Sequence, residues 1–502
     1  MSQSALQRFA QTRELTSAIL LTARNVFTPT PVSVHTGISP LTRIAGVTIF
    51  QRGLLTLQRA GVNQIFVLAG DEAETLKAVV RDGPPITAGI RWIPVREFPL
   101  DDPRTWETLA ADAKGACLVI GPQAAFSRNL IETLRGQGPI EDLTLVLQPE
   151  DRRRIGPGQS DRAGRVDRAV PTKRDRLARL AAIGLGGERG AQEGFTGRLA
   201  AELMVLPAGL FSKGQPLADS LLAQSGEEQR AEGDPLLSRL VELAAAERRI
   251  RIVEAAPDAN LWARDVHDAG DASAVERDLY RSLKGHFEGI VDRYFNRKLS
   301  PFFTKLFLKL KLSPNAITVA ATLIGLAGAA CFGMGTYAAG LLGALLFQLA
   351  AVIDCCDGEV ARLTFTESPL GAKLDLVLDN VVHMAVFAGI AYGAYQAHAA
   401  SEQAWLYLAL GAVAVIFNAL ACWLVTRLAA HPGAPAGAST ARWKWTDFLL
   451  KNIATRDFSM VVLLFAAIGR LDWFLLLAVI GSTLFGLVLI WLVFSARSPR
   501  VA

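Results

Sequence analysis

Cysteine is scarce in this chain, and the few present exclude two common ways of stapling a site. The five in 502 residues are Cys117, Cys331, Cys355, Cys356 and Cys422. They show neither the paired spacing of a thiolate metal centre nor a disulfide framework. Where they stand in apolar runs they act as small hydrophobes. An apolar leader core is missing as well. The first residues read MSQSALQRFAQTREL, without the hydrophobic region of a signal peptide, so the amino-terminal half is expected in the cytosol. Nor is there a strong excess of one charge. A net charge of +5 with no accompanying binding module gives no basis for a nucleic-acid partner.

Apolar residues are abundant but unevenly placed. Up to about Lys311 the chain is charged and reads as soluble; after Pro314 long apolar runs dominate. Six segments, near 315–335, 338–356, 374–396, 403–428, 453–471 and 473–495, each approach the ~20 residues needed to cross a bilayer. They are rich in Gly, Ala and Ser, which permit close helix packing. An even number of spans leaves both ends on one side. The basic residues from Arg293 to Lys311 and the tail ARSPR then face the cytosol, as the positive-inside rule requires. Three regions are expected: a cytosolic domain over 1–270, an amphipathic interfacial helix over 271–312, and a six-helix membrane domain over 313–502. The predicted location is the inner (cytoplasmic) membrane, with membrane lipid around the spans.

Within 1–270, the short apolar runs SAILL (17–21), IFVLAG (65–70), GIRWIPV (89–95), GACLVIG (115–121) and LTLVLQP (143–149) read as buried strands. Helical segments separate them, which argues a mostly parallel α/β sheet. Residues 150–196, dense in Arg, Gly and Asp, read as a solvated linker or insertion. Residues 196–255 return to helical patterning.

Four aspartates stand in or beside the apolar runs. Asp354 and Asp357 are three residues apart, and Asp375 and Asp379 are four apart. On helices both spacings place two side chains on one face. Each charge at membrane depth costs at least ~2.5–3.5 kcal/mol, and four of one sign repel. One or two divalent metal ions would compensate. Gly358 and Gly371 would let a substrate approach closely, and Arg362 could contact a phosphate. Carboxylates, metal and an anionic ester form a phosphoryl-transfer constellation, in which one carboxylate can serve as general base. The bland alternative is a set of structural carboxylates neutralised by Arg362 and Lys373. Four aspartates with two glycines argue against it.

The pattern from Asp354 through Asp357-Gly358, Ala361-Arg362 and Gly371 to Asp375 and Asp379 resembles the full signature of the CDP-alcohol phosphotransferase family. The likeness covers roughly 285–495 and includes SPNAIT at 313–318. It implies that Asp354, Asp357, Asp375 and Asp379 bind two divalent ions, Mg2+ or Mn2+. It implies further that Asn315, Thr318, Gly358, Ala361, Arg362 and Gly371 line the site of a CDP-alcohol donor. Asp379 would take the proton of an acceptor hydroxyl, which attacks the distal phosphorus and expels CMP. A homodimer is the common state of the family. The acceptor is a polyol phosphate, such as an inositol phosphate, or a lipid. A phosphorylated acceptor needs cations near the cytosolic ends of the spans. Lys373, Arg427, Arg442, Lys444 and Arg456 qualify, with Arg456 and Lys373 preferred.

PLTRIAG (40–46), the helix after it, Ala60-Gly61-Val62 and the next strand resemble the sugar-nucleotidyltransferase fold. The chemistry of that fold is missing. The place of its glycine-rich phosphate loop reads TARNVFTPTP (22–31), with no glycine and only Arg24 as a base. The place of a metal-binding Asp reads Gly121-Pro122-Gln123, leaving Asp265 alone. A fold without cytidylyltransferase activity is therefore expected. The order of the two halves resembles fused inositol-phosphate cytidylyltransferases and di-myo-inositol-phosphate phosphate synthases. The alternatives are a bifunctional enzyme that also makes its CDP-polyol, and a phospholipid synthase using CDP-diacylglycerol.

Overall fold

The computed structural model describes residues 15–22, 38–98, 115–136, 142–149, 197–207, 250–256, 260–283, 295–429 and 458–497, with isolated positions between 105 and 140. The chain divides into two compact units between Ser282 and Leu283.

The first unit runs β1 (Leu15–Leu21), β2 (Arg43–Ile44), β3 (Val47–Thr48), α1 (Ile49–Arg59), β4 (Gln64–Ala69), α2 (Ala73–Asp82), β5 (Gly89–Pro94), β6 (Ala116–Ile120), β7 (Ala124–Phe126), α3 (Arg128–Gly136), β8 (Leu143–Pro149), β9 (Gly197–Leu206), β10 (Ile250–Glu254), β11 (Ala263–Asp265) and α4 (Ala269–Ser282). Its main sheet has seven strands in the order β10-β8-β9-β6-β1-β4-β5. β1 pairs in parallel with β4 and β6, and β9 runs antiparallel to β6 and β8. All five runs expected as strands are strands. The unbroken apolar character of β1, β4 and β6 follows from burial on both faces, as in a parallel sheet covered by helices, whereas β5 is an edge strand and largely exposed.

Two local devices hold the start of this unit. Ala45 and Gly46 have positive φ, 46° and 85°, and make the two-residue turn between β2 and β3. Arg52 of α1, buried, donates from Nη2 to the Ile44 carbonyl at 2.8 Å and the Ala45 carbonyl at 3.3 Å. Burial lowers its pKa to about 10, which still leaves it charged at neutral pH. α1 is capped by Thr48, whose side chain accepts from the Gln51 N–H, and it ends at Gly61 with φ 83°.

Two expectations fail here. Residues 196–255 carry strands where helix was expected. GRLAAELMVL is rich in helix formers, yet it fills the gap between β6 and β8 as β9, because pairing on both edges outweighs weak intrinsic preference. IRIVE, read as the end of a helix, forms β10. Second, the stretch 271–312 is not one interfacial helix. α4 belongs to the first unit, where buried Val275 and part-buried Leu279 pack with Trp262, Val266 and Ile44. Residues 150–196, expected as a linker or insertion, and residues 23–37 lie outside the described residues.

The second unit contains α5 (Arg297–Lys309), α6 (Pro314–Gly333), α7 (Tyr337–Thr364), α8 (Pro369–Ala397), α9 (Trp405–Ala429), α10 (Phe458–Ala467) and α11 (Leu471–Arg497). Five of these are long and apolar enough to cross a membrane, so the chain is a multi-pass membrane protein. α10 is shorter over its described residues, and 453–457, expected to begin that span, lie outside them. α6 packs along both α7 and α8, whereas α7 and α8 stand apart from one another.

α7 and α8 extend past the apolar segments that announced them. α7 continues through its charged residues to Thr364 and closes on Phe365 in the left-handed conformation. α8 starts at Pro369, with Ser368 as N-cap accepting from the Gly371 N–H at 3.0 Å. A four-residue turn, 365–368, thus joins two helices that both carry their aspartates inside.

Glycine sets the closeness of α6 and α7. A Cβ on Gly343 would stand 2.8 Å from the Gly328 carbonyl oxygen, and one on Gly328 would stand 2.9 Å from that of Gly343. Backbone cannot swing away as a side chain can. Gly343→Ala is therefore expected to lower the thermal unfolding midpoint in detergent, at an overpacking cost of ~1–3 kcal/mol. Gly481→Ala, with nothing within 4 Å, should leave the midpoint in place.

Candidate active site

The two aspartate pairs meet because of where they fall on the α7–α8 hairpin. Asp357 precedes the end of α7 by seven residues, and Asp375 follows the start of α8 by six. At 1.5 Å per residue both lie about 10 Å from the hairpin tip. Asp354 and Asp379 are each ten residues from it, about 15 Å. Equal arms alone would set Asp357 level with Asp375 and Asp354 level with Asp379.

The structure brings Asp354 in with the pair nearer the tip. One ligand atom from each of Asp354, Asp357 and Asp375 lies within 4.8 Å of the others. Among the described residues this is the one group of three or more His, Cys, Asp or Glu side chains close enough to share an ion. Asp379 lies outside that trio. It lines, with Asp354, Thr322, Phe347 and His383, a cavity of about 20 Å³.

The flanking residues are ordered around the trio. Thr318, buried on α6, donates to Asp357 Oδ2 at 2.5 Å. Asn315 stands near Gly371, where a Cβ would come within 3.2 Å of its Oδ1. A Cβ on Gly358 would approach the Arg362 guanidinium at 3.4 Å, so the arginine folds back over that glycine. Ala361 is buried and Arg362 exposed. Lys373 is exposed two residues beyond Gly371. Arg456, Arg442 and Lys444, and the side chain of Arg427, lie outside the described residues.

Sequence reasoning missed one buried carboxylate. Glu359 accepts from Arg297 Nη1 at 2.7 Å, Ser300 Oγ at 2.6 Å and Thr304 Oγ1 at 2.6 Å. The signal was available: Arg297, Ser300 and Thr304 follow the i, i+3, i+7 spacing of one helical face, and an acid within an apolar run needs partners. Next to it, Gln348 Nε2 donates to Asn296 Oδ1 at 2.8 Å. α5 therefore turns polar residues onto α7 and leaves Leu299, Phe302, Leu306 and Leu310 exposed among lysines, the pattern of a helix lying at a membrane surface.

Among its described residues the first unit offers no comparable set. Gln123, in the place of the expected Asp, donates from Nε2 to the Ile38 carbonyl at 3.1 Å, and its Oε1 meets His267 Nδ1 at 3.0 Å. Asp265 pairs across from Ala124, beside that loop. At the end of β1, Thr22 donates to Glu72 Oε1 at 2.6 Å.

Comparison with known proteins places the second unit. Residues 311–496 match the sequence model of CDP-alcohol phosphatidyltransferases. Over that segment the chain is similar to the CDP-alcohol phosphatidyltransferase family. A relative named as a bifunctional IPC transferase and DIPP synthase, from Thermococcus kodakarensis, is 30% identical over 184 residues, 36% of this chain. The match spans 39% of that protein's length. A protein of the same name from Rubrobacter xylanophilus is 28% identical over 361 residues, 71% of this chain and 73% of its own. The solved inositol-1-phosphate CTP transferase of T. maritima is similar at 11% identity, covering 53% of this chain and 95% of that one, with a TM-score of 0.34.

Proposed function

We propose that this chain is an integral-membrane, metal-dependent CDP-alcohol phosphotransferase, transferring the phospho-alcohol of a CDP-alcohol to an acceptor hydroxyl with release of CMP. The observation that carries the reading is the convergence of Asp354, Asp357 and Asp375 within 4.8 Å, in the family's matched segment. Three carboxylates this close fit divalent ions: hard oxygen donors of summed negative charge suit Mg2+ or Mn2+. Such ions would neutralise the donor's diphosphate and favour CMP as leaving group.

The remaining work falls to the chain's own side chains. Thr318 holds one oxygen of Asp357 and so fixes the other toward the site. Gly358 and Gly371 leave backbone room for the nucleotide, with Asn315, Ala361 and Arg362 around it. Asp379, outside the trio, is the base that takes the acceptor's proton. Lys373 and Arg456 are the cations we assign to an acceptor phosphate. The exposed lysines of α5 (Lys298, Lys305 and Lys309) support our assignment of the active site to the cytosolic face of the inner membrane, and the family's habit supports a homodimer.

Purified full-length protein, offered a panel of CDP-alcohols and acceptors, should release CMP only when donor, acceptor and Mg2+ or Mn2+ are all present. Chelation should stop it reversibly. CMP release at full rate after chelation would overturn metal dependence. The panel also separates a polyol-phosphate acceptor from a CDP-diacylglycerol-dependent lipid synthase.

Gln123, bonded to His267 and the backbone, argues against a second activity in the first unit. With CTP and an inositol phosphate, the full chain is expected to release no pyrophosphate. Pyrophosphate release would instead establish a bifunctional enzyme.

A further inference from the structure

One polar group behind Asp379 has no part in the chemistry above. His383 lies four residues further along α8, one turn on and on the same face. Its ring packs at steep angles against Phe347 (centroids 6.2 Å apart, planes at 81°) and Phe458 (4.9 Å, 66°). Those contacts fix the ring and use neither nitrogen. Nε2 is buried and meets no hydrogen-bond partner among the described residues. Buried polar atoms in folded proteins are nearly always satisfied, by protein or by ordered water.

The cavity lined by His383, Asp379, Asp354 and Thr322 is where that partner belongs. Its volume, about 20 Å³, exceeds the ~10–15 Å³ that a single water requires. A polyol or a nucleotide would not fit. A buried water needs two to four polar neighbours, and the cavity wall supplies an imidazole, two carboxylates and a hydroxyl. Thr322 Oγ1 already donates to the Thr318 carbonyl at 2.9 Å, so it faces the cavity as an acceptor.

We infer that His383 is a positioning residue for Asp379: the two share one buried water, which holds the carboxylate in the orientation needed to receive the acceptor's proton. The inference rests on the base role proposed for Asp379. His383 touches no substrate. It acts by fixing a rotamer, and its aromatic neighbours keep it in place to do so.

Two measurements on the full-length protein test this. A high-resolution experimental structure should contain one ordered solvent within hydrogen-bond reach of both His383 Nε2 and the Asp379 carboxylate. A dry cavity, or Nε2 bonded to another group, would overturn the inference whether or not the protein proves active. The second measurement is kinetic. His383→Phe keeps an aromatic ring between Phe347 and Phe458 and removes Nε2. It should lower kcat for CMP release ~10–100-fold, the usual loss for a supporting residue behind a reactive one, with the donor KM and the unfolding midpoint unchanged. His383→Gln, whose amide can stand where Nε2 stood, should recover most of that loss. Wild-type kcat in His383→Phe, or equal losses in both variants, would overturn it. Failure of the wild-type protein to release CMP from any donor would count against the proposed function, and the solvent position would still decide the inference.

Discussion

Asp379→Asn is expected to reduce CMP release at least ~100-fold, the lower end of what a positioned general base contributes. The substitution keeps volume and hydrogen bonding but removes the proton acceptor. Because Asp379 lies outside the trio of Asp354, Asp357 and Asp375, the concentration of Mg2+ needed for half-maximal residual rate should stay where it is. Asp357→Asn should behave differently. It weakens a member of the trio that Thr318 holds by hydrogen bond, so the Mg2+ requirement should rise. Steady-state CMP release with each variant, titrated with Mg2+, separates the two roles. A shift of the Mg2+ midpoint in Asp379→Asn would make that residue a metal ligand. Unimpaired turnover in the same variant would remove it from the mechanism.

The convergence of the aspartates could be read before any coordinates because it rests on spacing, whereas the separate roles proposed for Asp357 and Asp379 come from the family resemblance. Asp354 and Asp357, and Asp375 and Asp379, carry helical periods, and the register between the pairs is fixed by their distances from Pro369 and Thr364. Strands β1, β4, β6 and β8 were legible because burial writes itself as an apolar run; β5, an edge strand, was legible from its alternation about Ile90, Trp92 and Ile93. β9 was not, since Gly197–Leu206 is composed of helix formers and owes its strand state to partners far away in sequence. The helix boundaries of α7 and α8 were also hidden. Hydropathy falls at Asp354, but the backbone ladder does not, because the charged residues face a polar interior rather than lipid. α5 was half legible: its alternation of Lys with Phe and Leu marked a surface helix, while the inward role of Arg297, Ser300 and Thr304 depended on Glu359, about sixty residues on.

That clamp carries the largest expected effect on stability. Glu359 is 3% exposed at its side chain and Arg297 14%, so solvent screens the pair little. Breaking a buried pair by removing one partner costs ~3–5 kcal/mol, mostly the desolvated charge left behind. Glu359→Ala and Arg297→Ala should each lower the unfolding midpoint in detergent by that cost. The Glu359→Leu, Arg297→Met double variant, which leaves no buried charge, should be more stable than either single alanine variant. A double-mutant cycle on the alanine variants reads the coupling, and additive losses would show that the pair contributes nothing beyond its separate contacts. The consequence should reach the active site. Glu359 is two residues after Asp357, on the far side of α7, so α5 braces the back of the helix whose front presents the trio. α5 also precedes the segment matched to the family, which starts at residue 311. Activity in Arg297→Ala is therefore expected to fall with an unchanged set of aspartates. Full activity alongside a lowered midpoint would confine the clamp to stability.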